Sequence, residues 1–388
     1  MRINPPLVAL AIGAFGIGVT EFSPMGMLPG IAADLGVSIP AAGLLVSAYA
    51  LGVLLGAPLM TLTTGRIPRR YLLIGLMGIF TLGNLMSAMA TDYYSLMIAR
   101  LVTSLNHGAF FGVGSIVAAS VVAPDKRAGA VAAMFLGLTL ATIGGVPLAA
   151  WFGDAFGWRT AFWGITGLGV LAMVALWFAL PHVPQSDSGG ALAEIRVLGR
   201  GPVLSALALT VIGSSAMFTV FTYIAPILAS ETHASAAFIT AMLVLYGIGL
   251  TLGNMWGGKA ADRSVDRTLI VSLGALIVIL LAFTVLMRWP LPAAVVILLW
   301  GIASFAIVPP LQMRVMEAAK DAPNLASAVN IGAFNLGNAI GAALGGAVIK
   351  AGLGYPAISL AGAAMAAIGL LMVLGSVWRA RTVTAAAV

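Results

Sequence analysis

The chain has no cysteine and only three histidines, and of its 388 residues just 8% are charged, 12 acidic and 19 basic. Without cysteine there can be no disulfide, no thiolate metal ligand and no thiol nucleophile. Three scattered histidines are poor material for a zinc site. Soluble domains carry about 25% charged residues, so a chain this poor in charge is no soluble globule. Catalytic triads, phosphate-cradling loops and metal-ligand spacings are also missing, so nothing supports enzyme chemistry and no cofactor is expected. What the chain has instead is 61% hydrophobic residues and 47 glycines, with a mean hydropathy of +1.08. Glycines in such a setting suit transmembrane helices whose backbones approach closely.

A membrane-spanning helix needs about 20 apolar residues. Twelve such segments are expected, at 5–29, 40–64, 71–90, 95–122, 128–153, 160–181, 203–229, 236–258, 268–287, 293–313, 325–350 and 357–378. The first is too long for a signal-peptide core and lacks a small-residue cleavage site, so it is read as a retained span. The fold class is therefore an all-α polytopic membrane protein. The polar segment 182–202 divides it into an N-terminal six-helix bundle (1–181) and a C-terminal one (203–388).

Basic residues set the orientation, because loops rich in Lys and Arg stay cytoplasmic. Alternate loops and both termini hold Arg2, Arg66, Arg69, Arg70, Lys126, Arg127, Arg196, Arg200, Lys259, Arg263, Arg267, Arg314, Lys320, Arg379 and Arg381, which is 15 of the 19. The opposite loops hold Arg159, Arg288 and Lys350, and Arg100 falls inside a span. Both termini are expected in the cytoplasm, and the excess positive charge needs no nucleic-acid partner. Trp151, Trp158 and Trp289 sit near span ends, as an interfacial aromatic belt would.

A shift of 197 residues carries Arg66 onto Arg263, Gly144 onto Gly341 and Gly157-Trp158-Arg159 onto Gly354-Tyr355-Pro356. Chance alignment of glycine-rich helices is the competing explanation, but three landmarks share one offset. Parallel repeats of six spans are an architecture of secondary transporters, with substrate bound between the halves near the midplane. The same shift pairs Glu21 with Phe218, Arg100 with Ile297 and His107 with Ser304, so the interior ionisable groups belong to the first half alone. Glu21 is the one acidic residue within a long apolar run. An ionised carboxylate there costs several kcal/mol, so it is expected to be neutral or paired, and functional by default.

Several motifs taken together resemble the major facilitator superfamily, over essentially the whole chain. They are TEFSPMGMLPGIAADLGVS with SAYALGVLLGAPL, ARLVTSLNHGAFFGVGSIVAA, GLTLATIGGVPLAAWFGDAFGWRTAFW and SAVNIGAFNLGNAIGAALGGAVI. The nearest resemblance is to twelve-span drug–proton antiporters, in particular bacterial sugar and arabinose-efflux permeases. It implies two pseudo-symmetric six-helix bundles, and an antiporter motif at Gly144, Gly145 and Pro147 that limits leak between access states. It also implies cytoplasmic gating loops, Arg66, Arg69 and Arg70 in the first half and Gly258, Asp262, Arg263 and Arg267 in the second. The first loop departs from the family pattern, with Gly65 where Asp is expected and Pro68 where Gly is expected, so a carboxylate–arginine latch looks complete only in the second half. Ser104 also stands where the superfamily often has Gly.

Spans 1 and 4 are neighbours in that family. Glu21 lies roughly 12 Å from the outer end of span 1, taken at Pro29, and Arg100 about 9 Å inside span 4, so the two are expected nearly level. His107 is seven residues on, along the same stripe and about 10 Å deeper. Proton coupling through Glu21, Arg100 and His107 is the functional reading. The alternatives are a purely structural acid, an Arg100 that ties spans together through backbone carbonyls, and a His107 that is only a hydrogen-bond donor. In the second half Phe218, Phe221, Tyr223, Gln312, Asn330, Asn335 and Asn338 are substrate-binding candidates. Interhelical glue, for the amides, and core or lipid-facing packing, for the aromatics, compete with that role. In span 5, Pro147 and its glycines are expected to kink the helix.

The expected activity is export of a small organic molecule, a sugar or a lipophilic drug-like compound, in exchange for protons by alternating access. The expected setting is a monomer in the bacterial inner membrane, whose partners are substrate, protons and the bilayer. A proton symporter or uncoupled facilitator of the same fold is the alternative, and a non-transporting membrane sensor a more distant one.

Overall fold

A computed structural model describes residues 4–64, 67–123, 127–181, 197–320 and 323–386. Among these, twelve helices are long and apolar enough to cross a membrane. In chain order spans 1 to 6 are Pro5–Asp34, Ile39–Ala57, Arg69–Ala88, Tyr93–Ser120, Gly129–Phe156 and Trp158–Ala179. Spans 7 to 12 are Gly201–Phe221, Ala236–Ala261, Val265–Leu286, Pro290–Ala318, Val329–Lys350 and Pro356–Arg379. The chain separates into two compact units, one of Met1–Gly189 with Ser235–Val244 and one of Gly190–Ala234 with Leu245–Val388. Most of the polar segment expected as a linker, 182–196, lies outside the described residues.

Span 1 continues through Pro29 and ends only at Asp34. A proline within a transmembrane helix is tolerated where neighbouring groups take up the freed backbone carbonyl. The helix stops at Gly36, whose φ of 63° is the left-handed conformation glycine adopts freely. Val37 then donates its backbone N–H to the Ala32 carbonyl at 3.0 Å.

Among the described residues four spans are interrupted: span 10 at Ile307, between helices Pro290–Ala306 and Val308–Ala318, and spans 4, 5 and 7. Span 4 consists of helices Tyr93–Ser104 and His107–Ser120. Around the break Thr103 Oγ1 donates to Ala99 O at 2.7 Å, Ser104 Oγ to Leu101 O at 2.7 Å, and Asn106 Nδ2 to Thr103 O. Short polar side chains of this kind offer the backbone an alternative to its i→i−4 bonds. Span 7 gives way at Thr222–Tyr223 to a further helix, Ile224–Glu231. Span 5 carries a π-turn, Ala141–Gly145, ahead of the helix Val146–Phe156. The expected disturbance at the Gly-Gly-Val-Pro motif is thus one wide turn, a form that π-bulges take inside longer helices.

Glycine stripes set the helix contacts of the second unit. In span 8, Gly249, Gly253 and Gly257 each lie so close to span 10 that an added Cβ would fall 2.5–2.6 Å from the carbonyls of Leu298 and Ala306 and 2.1 Å from that of Ile302. This is the small-xxx-small approach that lets backbones touch. A like stripe, Gly337, Gly341 and Gly345, seats span 11 on the carbonyls of span 7 at Val211, Ser215 and Thr219.

Span 4 begins with a capping box, in which Asp92 accepts from the backbone N–H groups of Tyr94 (2.9 Å) and Ser95 (3.0 Å). The Ser95 backbone bond, ahead of the others, holds the Asp92 carboxyl below the usual carboxylate range. A carboxyl lowered on folding stabilises above its unfolded value of about 3.9, and that contribution disappears as pH falls through the lowered value. Asp92→Ala is therefore expected to lower the unfolding temperature in detergent at neutral pH, with the gap to the unsubstituted protein closing below about pH 4. A pH-independent gap would show that the cap acts by shape and not by charge.

Candidate functional site

Glu21, Arg100 and His107 converge in the first unit, and they are the buried residues of Asp, Glu, Lys, Arg or His type among those described. Glu21 Oε2 lies 3.9 Å from His107 Nδ1. Tyr49 of span 2 completes the group, its hydroxyl 3.1 Å from the same His107 Nδ1. The Arg100 guanidinium lies over the Tyr49 ring at 4.2 Å, within cation–π range. The order through the site is thus Arg100, Tyr49, His107, Glu21.

Glu21 and Arg100 attract one another at longer range, but no ion pair within 4 Å joins them, and the basic side chain at that distance from the carboxylate is His107. The longer span 1 is the reason. Measured to Asp34, Glu21 is 13 residues from the outer end, or about 20 Å. Arg100 is seven residues into span 4 and His107 fourteen, so they stand about 10 and 21 Å deep. Glu21 is level with the histidine.

Arg100 bonds the backbone instead. Its Nη1 donates to Thr20 O at 2.7 Å, and the proline four residues on explains why that oxygen is available. Pro24 has no N–H with which to bond the Thr20 carbonyl, so span 1 exposes an acceptor at that level. The Thr20 hydroxyl donates to Asn84 Oδ1 of span 3 at 2.5 Å, and Asn84 Nδ2 donates to Phe80 O at 2.8 Å. Arg100, 1% exposed, retains Nε and Nη2 without hydrogen-bond partners among the described residues. Ser104, where the family often has Gly, is accommodated by Gly52 of span 2, since an added Cβ there would sit 1.9 Å from Ser104 Oγ. The small residue has changed helices.

Tyr49 escaped the sequence reading, although two signals marked it. It is the one tyrosine of the first six spans that does not stand at a span start, and the 197-residue shift carries it onto Tyr246. That correspondence has a counterpart in space. In the second unit the hydroxyl of Tyr246 faces that of Ser304, the repeat partner of His107, without meeting hydrogen-bond geometry. Tyr246 stacks on Phe221 (4.6 Å between centroids, 23°) and lies 4.5 Å from Trp300. Phe218 touches Phe221 at 6.3 Å, and Phe283 stacks on Trp300 at 6.2 Å.

The other candidates are dispersed. Tyr223 donates its hydroxyl to Ala342 O at 2.7 Å and joins span 7 to span 11. Asn330 Nδ2 donates to Gln312 Oε1 at 2.6 Å, and Asn335 Nδ2 to Ile331 O at 3.0 Å, while Asn338 is buried. In the gating segments Arg66 lies outside the described residues and Arg69 begins span 3. Arg70 donates to Trp177 O at 2.5 Å and lies over that ring. Gly258, Asp262, Arg263 and Arg267 cluster at the end of span 8 and the start of span 9. The ion pair found there, however, joins Asp266 with Arg314 at 2.6 Å, and Arg314 also reaches Ser376 Oγ. At the opposite end of the first unit Arg159 pairs with Asp34 at 2.5 Å, bonds Ala90 O at 2.8 Å and covers Trp158. Gly157, at φ 88°, makes the turn that presents this Trp-Arg pair.

Twelve apolar spans mark a polytopic membrane protein, and among the described residues its buried ionisable groups lie in the first unit. The chain belongs to the Major Facilitator Superfamily, whose family model matches residues 10–330 and 207–387. It is 60% identical over 376 residues to the "Inner membrane transport protein YdhP" of Escherichia coli (strain K12), covering 97% of each chain. It is 32% identical to a "Probable sugar efflux transporter" of Pasteurella multocida (strain Pm70), over 96% of this chain and 92% of that one. The fold matches that of a solved D-xylose-proton symporter with a TM-score of 0.77 at 17% identity, over 96% and 97% of the two chains. The protein is a membrane transporter of small molecules and not an enzyme.

Proposed function

We propose that this transporter exports a small, uncharged, sugar-like molecule across the bacterial inner membrane in exchange for protons, as a monomer with both termini in the cytoplasm. The observation that carries the proton coupling is the 3.9 Å approach of Glu21 to His107, with Tyr49 bridging to Arg100, all enclosed in one unit. A carboxyl and an imidazole this close cannot change charge independently. When Glu21 carries a proton it sits beside His107 as a neutral acid. When it loses the proton, its charge calls for a partner, and the N–H groups of Arg100 at Nε and Nη2 are the unsatisfied donors nearby. Movement of Glu21 between these partners shifts span 1 relative to span 4 and couples protonation to alternating access. The sugar class draws on the printed name of the Pasteurella relative.

The test uses purified protein in liposomes with an imposed pH gradient. A radiolabelled sugar is expected to move against its own concentration gradient and opposite to protons. Downhill movement indifferent to pH would end the coupling claim. Accumulation in the direction of proton flow would replace antiport with symport.

A further inference from the structure

In the second unit three polar atoms of one cluster are buried without a satisfactory partner among the described residues: Tyr246 Oη, Trp300 Nε1 and Ser304 Oγ. They come together for structural reasons. Trp300 and Ser304 stand one turn apart on span 10, and the glycine stripe of span 8 brings Tyr246 against them, its ring 4.5 Å from the indole. Buried polar groups are normally bonded, and each exception calls for an explanation. By the 197-residue shift Tyr246 and Ser304 are the repeat counterparts of the Tyr49–His107 pair of the first unit, and Trp300 falls on Thr103. The proton-carrying acid has no counterpart here, its position being taken by Phe218.

We infer that Tyr246, Trp300 and Ser304 form a subsite that hydrogen-bonds the hydroxyl groups of an uncharged, hydroxyl-rich substrate. This deepens the exporter reading above and rests on its sugar class. The indole N–H donates only, whereas the tyrosine and serine hydroxyls both donate and accept. A ligand that satisfies all three must offer oxygens that accept and can also donate, as sugar hydroxyls do. A cationic ligand would find no carboxylate, since the buried acid lies in span 1. An anionic one would find no arginine, since Arg100 corresponds to Ile297. The faces of Tyr246 are already taken by Phe221 and Trp300, so recognition uses the polar edges of these rings and not stacking on them.

The test measures binding calorimetrically on the full chain in lipid nanodiscs. The probes are D-xylose, methyl β-D-galactopyranoside, its monodeoxy analogues and the cation tetraphenylphosphonium. Tyr246→Phe, Ser304→Ala and Trp300→Phe are each expected to weaken sugar binding about tenfold, the size of one lost hydrogen bond in a dry site. For at least one deoxy analogue the variant and the missing hydroxyl should cost no more together than either alone. That non-additivity separates contact from mere folding, and Tyr246→Phe, which removes a single oxygen, guards against a misfolded variant. Sugar binding unchanged in all three variants, or weakened with full additivity towards every deoxy analogue, would overturn the subsite and leave the exporter reading standing. Binding of tetraphenylphosphonium with no sugar binding would overturn the subsite and the sugar class together, whereas proton coupling is read separately in liposomes.

Discussion

Glu21→Gln is expected to abolish pH-driven accumulation, reducing it to the level of protein-free liposomes, while substrate binding stays within about threefold of the unsubstituted protein. The amide has the shape of the acid and still lies beside His107, 3.9 Å away in the structure. It neither takes up nor releases a proton near neutral pH and never becomes an anion, so nothing draws it from His107 towards the N–H groups of Arg100. At 3.9 Å the acid makes no hydrogen bond to His107 for the amide to lose, in line with a small effect on affinity. Loss of the exchangeable proton removes the driving force altogether. Exchange of labelled for unlabelled substrate, which needs no net proton movement, should persist. Driven accumulation at the unsubstituted level in Glu21→Gln would remove the acid from the mechanism. Loss of both exchange and binding would make it a structural residue.

Gly145→Ala is expected to destabilise the protein by about 1–3 kcal/mol, the usual cost of overpacking, whereas Gly144→Ala should be close to neutral. The two are neighbours in one motif, yet their surroundings differ. A Cβ on Gly145 would stand 2.4 Å from Val19 Cγ2 and 2.9 Å from Phe15 Cζ of span 1, while one on Gly144 has nothing within 4 Å. Gly137, two turns earlier, should behave at least as badly, because its Cβ would meet the backbone oxygen of Ala11 at 2.0 Å, and a backbone cannot step aside as a side chain can. Unfolding temperatures in detergent test this directly. Two further outcomes bear on the leak-preventing role that the antiporter resemblance implies for this motif. If Gly144→Ala leaves the unfolding temperature unchanged but makes liposomes leak protons, the wide π-turn itself, and not its packing, prevents leak. Equal destabilisation by both substitutions would contradict the contact geometry of span 5 on span 1.

Much of this was legible along the chain. Glu21 could be singled out because ionised groups are expensive in hydrocarbon, and the other eleven acids stand outside the spans or within a few residues of their ends. The span count followed from the length of apolar runs, and the asymmetry between the halves from one numerical offset. The partner of Glu21 was not legible in the same way. Its depth depended on where span 1 stops, and Pro29 looked like an end although the helix runs on to Asp34. Five residues of helix moved the acid by more than a turn, from level with Arg100 to level with His107. The role of Arg100 lay closer to the surface of the sequence, since Pro24 necessarily frees the carbonyl of Thr20. That inference needed the knowledge that span 4 passes at that height.

The ion pair of the second unit teaches the same lesson. The family-like loop pointed to Asp262, Arg263 and Arg267, but Asp266 is the carboxylate that meets Arg314. Both acids lie within five residues on the chain, and only the packing of span 9 on spans 10 and 12 distinguishes them. Tyr49 and Tyr246 were likewise visible as letters and invisible as partners.

The sequence alone determined twelve membrane spans with one acid set within the first of them, because transfer energies and helix periodicity act locally and leave their mark residue by residue, and its motifs carried the resemblance to a transporter family. Only the tertiary structure decided that Glu21 faces His107, that Tyr49 joins them to Arg100, and that Tyr246, Trp300 and Ser304 share one buried cluster. Those contacts cross between helices far apart in the chain. They are set by glycine stripes, proline-freed carbonyls and helix ends, whose combined geometry no single segment carries.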